Sequence, residues 1–249
     1  DLAFVDYLTG LPNRFRCDAD FTRCMEAEGP DAAGYVLFID LDDFKLVNDT
    51  YGHDYGDGVL VAFAGYLQDL FGDNNRVYRF GGDEFVVMIS RSAAWKLPYY
   101  LESLHERGKL PWRSKGKDFY CSLSIGVVES SDREDAQSLL QKADMAMYSA
   151  KKSGKSGFAL YSESLAVELR QRSKMESLLR RSCENNFQGF KVLFQPYCFN
   201  ADGSIAGAET LIRMLSPEGS LILPRQFIPL AEYLGIIAPL GEWVLREAA

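Results

Sequence analysis

Residues 79 to 90 read Arg-Phe-Gly-Gly-Asp-Glu-Phe-Val-Val-Met-Ile-Ser, and they restrict the fold more tightly than any other stretch. An apolar run, two glycines, two acids and a second β-rich run predict strands over 76–80 and 85–90 joined as a hairpin. Gly81 and Gly82 let the backbone turn and let a ligand come close. Asp83 and Glu84 then lie at the tip of the turn. A second acid group stands upstream, where 35–40 reads as a buried strand ending in Asp40, followed by Leu41, Asp42 and Asp43. Acids at a strand end and on a neighbouring hairpin can converge on one point. Two carboxylates about 4 Å apart repel by about 4 kcal/mol at an effective dielectric near 20. A cation relieves that repulsion, and an all-oxygen ligand set suits magnesium.

The rest of the chain alternates helical and strand patterns. Asn13 caps a predicted helix running to about 28 and ended by Gly29-Pro30. A strand over 34–40 follows, then a helical stretch over 44–51. Gly52 and Gly56 bracket an expected loop, and Asp57 is placed to cap the next helix, whose Val59, Leu60, Phe63, Leu67 and Leu70 repeat at helical spacing. Gly72 stops that helix. Beyond the hairpin come a helix over 95–107 and a turn at 115–118. An alternating strand over 119–128 leads to a helix over 135–152, with Leu139, Leu140, Ala143, Met147 and Tyr148 on its inner face. An edge strand over 158–161 closes the series. The expected fold is α+β, a ferredoxin-like palm with helices around an antiparallel-rich sheet.

From 162 to about 186 the pattern is a charged connector helix with a solvated face. Short strands over 192–196 and 205–211, split by a turn at 200–203, and helices over 225–234 and 240–248 complete the chain. The 249 residues suit one large domain or one domain plus a piece of another. Hydrophobic content of 47% and charged content of 25% are ordinary globular values. A net charge of −8 disfavours general nucleic-acid binding. The sequence contains no membrane-spanning run and no signal-peptide pattern, and the five cysteines are scattered without Cys-x-x-Cys. These features suggest a cytoplasmic protein with reduced cysteines, attached to a membrane only through segments outside this chain. A start at Asp1 and a stop at Ala249 inside a helical pattern suggest a fragment of something longer.

Five ordered motifs then carry a resemblance. They are Asp6-x-Leu-Thr-Gly-Leu-Pro-Asn-Arg14, Asp40-Leu-Asp-Asp-Phe-Lys45-x-x-Asn48-Asp49, Gly52-His53-Asp54-x-Gly56-Asp57, Gly81-Gly82-Asp83-Glu84-Phe85 and Ala143-Asp144-x-Ala-Met-Tyr148-x-Ala-Lys151. At this spacing the chain up to about 161 resembles the GGDEF family of diguanylate cyclases. The resemblance implies that two such domains face each other, each with one GTP, and condense the pair into cyclic di-GMP and two pyrophosphates. It implies magnesium, with manganese as a substitute, held by Asp40, Asp83, Glu84 and the carbonyl of Leu41. Asp83 takes the general-base position, with Glu84 beside it. Asn48 and Asp57 match guanine-reading positions, and a carboxylate and an amide do suit that base's donor edge. Asp57 as a helix cap is compatible with this role. His53 matches a position near ribose or base. Lys45, Lys151 and Lys155 match phosphate contacts, with Lys155 standing where arginine is usual, and Gly82 matches a close backbone approach. Asp42 reads as structural.

An inhibitory Arg-x-x-Asp pair that many cyclases carry has its slots here at Gly72 and Asn75, so feedback inhibition through that site is not expected. The stretch from 190 resembles the start of an EAL domain, a (β/α)8 barrel phosphodiesterase. Gln195, Glu209 and Arg213 match its ligand and metal positions, although Glu-Thr-Leu replaces Glu-Ala-Leu. A barrel needs about 250 residues, so phosphodiesterase activity is not expected of these residues alone. The expected organisation is 1–161 cyclase domain, 162–188 connector helix and 189–249 first βα elements of an incomplete barrel. The competing reading is a non-catalytic GTP-binding module that controls an attached EAL phosphodiesterase domain.

Overall fold

A computed structural model describes residues 2–26, 32–72, 75–114, 116–130, 134–199 and 203–249. The expected helix end at Gly29-Pro30, part of the turn at 115–118 and most of the turn at 200–203 lie outside the described residues. The chain divides into two compact units, Asp1–Ala166 and Val167–Ala249.

The first unit is built on a five-stranded sheet in the order β2-β3-β1-β6-β7. The strands are β1 (Ala33–Leu41), β2 (Arg76–Gly81), β3 (Glu84–Ser90), β6 (Leu123–Glu129) and β7 (Gly157–Leu160). Two short strands, β4 (Trp112–Ser114) and β5 (Lys117–Phe119), pair separately. β1 pairs antiparallel with both β3 and β6, and β7 joins β6 in parallel. Strand side chains alternate between faces, and here each face has its own core. Leu37, Ile39 and Leu41 of β1 join Phe85, Val87 and Ile89 of β3 against α2 (Phe44–Tyr51), α3 (His53–Phe71) and α4 (Leu97–Gly108). Val36 and Phe38 join Val86 and Met88 on the other face, against α1 (Arg14–Glu26) and α5 (Ala136–Lys152). Both faces of β1 are covered, which explains its near-continuous apolar run.

The approach of α5 to the sheet depends on Gly126 of β6. A Cβ built there would lie 1.9 Å from the Ala143 carbonyl oxygen and 2.3 Å from the Met147 nitrogen, so the helix backbone occupies the space of the missing side chain. Asp135 caps α5 by accepting from the Ser138 N–H at 2.8 Å. The buried stripe is Leu139, Leu140, Ala143, Ala146, Met147 and Ala150. Tyr148, expected inside, is exposed, because it falls beside this stripe and packs under the Lys152 ammonium instead.

Two other expectations are corrected. No loop spans 52–56: Gly52, at φ 86°, turns the chain directly from α2 into α3, which begins at His53. Asp57 is therefore an exposed residue inside α3 and not its cap. The strand expected over 119–128 is two pieces. Phe119 pairs with Trp112 in the β4–β5 hairpin, while the Cys121 carbonyl accepts from the Trp112 indole and the Ser122 carbonyl from the Asp42 N–H. The Asp42–Ser122 bond continues the β1–β6 register, whereas Phe119 and Cys121 turn to Trp112, and β6 as a strand starts at Leu123.

The second unit takes in most of α6 (Glu163–Glu184), then β8 (Phe190–Cys198), β9 (Ile205–Leu215), β10 (Leu221–Ile222), α7 (Pro224–Tyr233) and α8 (Ile237–Ala248). Its strands form an antiparallel sheet in the order β10-β9-β8, both long strands extending past the expected limits. Leu179, Phe187, Phe190, Met214, Phe227 and Leu240 form its core. Beyond Val192, β8 is exposed. The sheet is open, as expected for the first elements of an incomplete barrel. No helix among the described residues is long and apolar enough to cross a membrane.

Candidate active site

Asp40 continues the Val36–Phe38 series of β1, and Glu84 continues the Val86–Met88 series of β3. Register makes them direct cross-strand partners, with Ser124 opposite Asp40 on the other side. Both acids therefore point to the α5 side of the sheet at its end. The hairpin turn places Asp83 next to Glu84, with Gly82 at φ 41°. The Leu41 N–H donates to the Asp83 carbonyl at 3.4 Å, tying the end of β1 to the turn.

Asp40 is 4% exposed. Burial, helped by Asp83 and Glu84, pushes its carboxyl up to about 6 against the opposing pull of the Lys151 ammonium. Lys151, in the last turn of α5, reaches Asp40 Oδ2 at 2.7 Å. Burial also raises Glu84, with Asp144 and Asp83 adding to the effect. Asp144 is raised by burial and eased by Lys151. Burial is the leading cause in all three, neighbouring acids add to it for Asp40 and Glu84, and Lys151 opposes it throughout. Glu84 and Asp144 also line a cavity with Arg14, Asp18 and Phe80, where the Arg14 guanidinium lies 4.7 Å from the Phe80 ring centre.

Asp42 is 4% exposed and takes hydrogen bonds from Ser122 Oγ at 2.6 Å, Ser124 Oγ at 2.7 Å and the Ser156 N–H at 3.1 Å. Asp43 is left-handed at φ 57° and pairs with Lys155 at 2.7 Å. Lys155 and Ser156 are left-handed as well, at φ 62° and 55°. Three such non-glycine residues each cost about 1–2 kcal/mol and persist only when neighbours hold them. Here the Asp42–Ser156 and Asp43–Lys155 bonds do so, closing the loop after α5 onto the loop after β1.

Asn48 packs against Gly56, the residue before Asp57 in α3. A Cβ at 56 would lie 2.0 Å from Asn48 Oδ1, so the Asn48 amide fills that gap one residue from Asp57. His53 is the exposed first residue of α3, and Lys45 is exposed in the first turn of α2. The inhibitory slots differ from each other. Gly72 is exposed, while Asn75 is buried and spends its amide on the Phe71 carbonyl, the Tyr100 hydroxyl and the Ser90 N–H. In the second unit Gln195 and Glu209 are exposed cross-strand partners, and Arg213 pairs in register with Lys191.

One clamp was missed from the sequence. Arg79 donates to the Gly82 carbonyl from Nε at 3.1 Å and Nη2 at 2.8 Å, and to Asp6 Oδ1 from Nη1 at 2.9 Å. Asp6 also accepts from the Thr9 N–H and hydroxyl. Burial raises the Asp6 carboxyl, but the bonds from Thr9 and Arg79 outweigh it and hold the group below its ordinary value. The only sequence signal was an arginine just before a glycine turn.

Whether a divalent ion suits this site can be judged from the donors. Asp40, Asp83, Glu84 and the Leu41 carbonyl are hard oxygens of the kind magnesium prefers, and three neighbouring carboxylates beside one lysine favour a further cation. Among the described residues, no three His, Cys, Asp or Glu side chains are already arranged to hold a metal. The donor chemistry fits, and the side chains would have to gather around the ion.

A family model described as diguanylate cyclase, GGDEF domain, matches residues 3–157, and one described as EAL domain matches residues 176–249. The bifunctional diguanylate cyclase/cyclic di-GMP phosphodiesterase MucR of Pseudomonas aeruginosa is 35% identical, over 99% of this chain and 36% of that protein. The cyclic di-GMP phosphodiesterase PdeR of Escherichia coli is 33% identical, over 99% of this chain and 37% of its own length. The chain thus spans about a third of these curated relatives. A solved structure of the GGDEF domain of TpbB (YfiN) from Pseudomonas aeruginosa aligns with TM-score 0.61 and 32% identity, covering 67% of this chain and 99% of that one. The GGDEF domain of DgcB from Caulobacter crescentus, in complex with cyclic di-GMP, aligns with TM-score 0.58 and 31% identity, covering 64% and 93%.

Proposed function

Because this chain belongs to the GGDEF diguanylate cyclase family and runs on into part of an EAL domain, we propose that residues 1–161 catalyse the condensation of two GTP into cyclic di-GMP and two pyrophosphates. Residues 162–188 serve as a connector helix and residues 189–249 as the first elements of a barrel. The carrying observation is the cross-strand pairing of Asp40 with Glu84, beside Asp83 and under Lys151. Chain positions more than forty apart meet there as one acidic site with a lysine in it.

In this reading Asp40, Asp83, Glu84 and the Leu41 carbonyl hold magnesium, for which manganese can substitute. The ion, when bound, lowers the pKa of the attacking 3′-hydroxyl and neutralises phosphate charge. Asp83 takes the proton from that hydroxyl. Lys45, Lys151 and Lys155 contact the phosphates, and the bare Gly82 backbone lets them lie close to the turn. Asn48 and Asp57 read the guanine edge, and His53 lies near the ribose or base. The 3′-hydroxyl of one GTP attacks the α-phosphate of another held by a second chain, so the reaction requires a homodimer. The reaction takes place in the cytoplasm and involves no nucleic acid.

Two features refine the proposal. The amide of Asn75 is engaged inside the fold and Gly72 has no side chain, which supports the absence of feedback inhibition through that site. Gln195, Glu209 and Arg213 are assigned to ligand and metal contacts of a complete EAL barrel, with no phosphodiesterase activity assigned to these residues alone.

GTP turnover with magnesium, at several protein concentrations, tests the cyclase. The expected result is product that rises faster than linearly with protein, disappears in Asp83→Ala, and forms at an unchanged rate when cyclic di-GMP is added. Relatives named as phosphodiesterases match over the same residues, which favours a second reading, a GTP-binding regulator of the EAL domain. Tight GTP binding without product, at protein concentrations where sedimentation shows the chain to be dimeric, would favour that reading over the first; without dimers, the same result is equally that of a cyclase that needs further segments to dimerise.

A further inference from the structure

The Lys151 ammonium lies 2.7 Å from Asp40 Oδ2, while Asp40 is almost fully buried and Lys151 about one-third exposed. A divalent ion on that oxygen would sit about 2.0–2.1 Å away, and a single and a double positive charge about 4 Å apart repel by about 8 kcal/mol at an effective dielectric near 20, so the ammonium has to move away when the ion binds. α5 packs closely on the sheet at Gly126, so the ammonium leaves by a swing of the lysine stem and not by movement of the helix. Lys151 also acts electrostatically on Glu84 and Asp144, so its charge serves the whole cluster. Its near neighbour Lys155 is already held by Asp43. Correspondingly, no three of the described acids stand ready for a metal.

We propose that Lys151 is an exchangeable resident cation, holding Asp40 until an ion arrives together with nucleotide phosphates that give the ammonium a new partner. This rests on the reading of Asp40 as a metal ligand. An ion arriving alone must displace the ammonium with nothing offered in return. An ion arriving on a triphosphate supplies three or more acceptor oxygens within reach of a flexible lysine stem. Ion binding is thereby conditional on nucleotide, and the site stays closed to free divalent ions. Within the cyclase reading, Lys151 is a positioning residue before it is a phosphate contact.

The test is Mn2+ binding to the nucleotide-free 249-residue chain at about pH 8, where carboxylates are ionised, read from the free-ion electron paramagnetic resonance signal. Lys151→Met keeps the apolar stem and removes the charge. The expected outcome is about a tenfold or greater gain in Mn2+ affinity, equivalent to about 1.4 kcal/mol. Lys151→Arg, which keeps a cation, should remain within about twofold of the parent. A Lys151→Met chain that binds Mn2+ no tighter than the parent, with an unchanged unfolding temperature, overturns the proposal. The double variant with Asp40→Asn separates the two claims. Loss of the gained affinity supports Asp40 as the contested ligand. Retention of it rejects Asp40 as a metal ligand and takes both the assignment and the exchange down together.

Discussion

Asp6 and Arg79 lie 73 positions apart and meet at 2.9 Å, and the same guanidinium holds the Gly82 carbonyl in the hairpin turn. The N-terminal motif thus braces the turn that presents Asp83. Asp6 is held below its ordinary value. Its contribution is therefore complete above the unfolded pKa near 3.8 and is lost as pH falls through the lower folded value. Asp6→Asn should cost about 1–2 kcal/mol at neutral pH. In urea unfolding the gap from the parent should narrow as pH falls from about 6 toward 3. A gap that stays constant over that range would show that the charge does not act. At this scale sequence reading was uneven. Asp83 and Glu84 announced themselves beside Gly-Gly, whereas Arg79 looked like any strand residue.

Elements bring the site together. Alternation along β1 and β3 puts Asp40 and Glu84 on one face, register sets them opposite each other, and α5 delivers Lys151 to that face. The delivery rests on Gly126, where a methyl group would meet backbone atoms at 1.9 and 2.3 Å. Gly126→Ala should destabilise the first unit by about 3 kcal/mol or more, since backbone cannot move aside as a side-chain tip can. A loss below about 1 kcal/mol by urea unfolding would mean that α5 shifts freely, and would remove the argument that it fixes Lys151. Most helices and strands were legible from periodicity, including α2 to the residue. The failures share a cause. At Gly56 and at 119–121, tertiary contacts with Asn48 and Trp112 overrode a local pattern that suggested a loop in one case and a continuous strand in the other.

At the scale of the whole molecule there are two units with separate cores, one layered on both faces of a five-stranded sheet and one gathered around Phe190, Phe227 and Leu240. Separate cores give separate cooperative units. Calorimetry should resolve two unfolding transitions, and GTP with magnesium should raise only the one belonging to residues 1–166, by mass action on its folded state. A single transition, or an equal shift in two, would contradict independent folding. The exposed strand residues of β8, Phe194 and Tyr197 among them, mark the second unit as the less self-sufficient of the two. The transition that GTP leaves unmoved should be the earlier.

From the sequence alone came the hairpin, the helix–strand order, the family and the identity of nearly every acid and lysine in the site, because those depend on local periodicity, turn chemistry and motif spacing. Which of them meet was decided only by tertiary structure. Pairing of β1 with β3 and β6 is non-local, and so are the partners it creates: Asp40 with Glu84, Asp42 with two serines, Asp43 with Lys155, and Lys151 with the buried carboxylate. Charge and burial then set what each acid can do, and neither is fixed until the strands have registered and α5 has settled on Gly126.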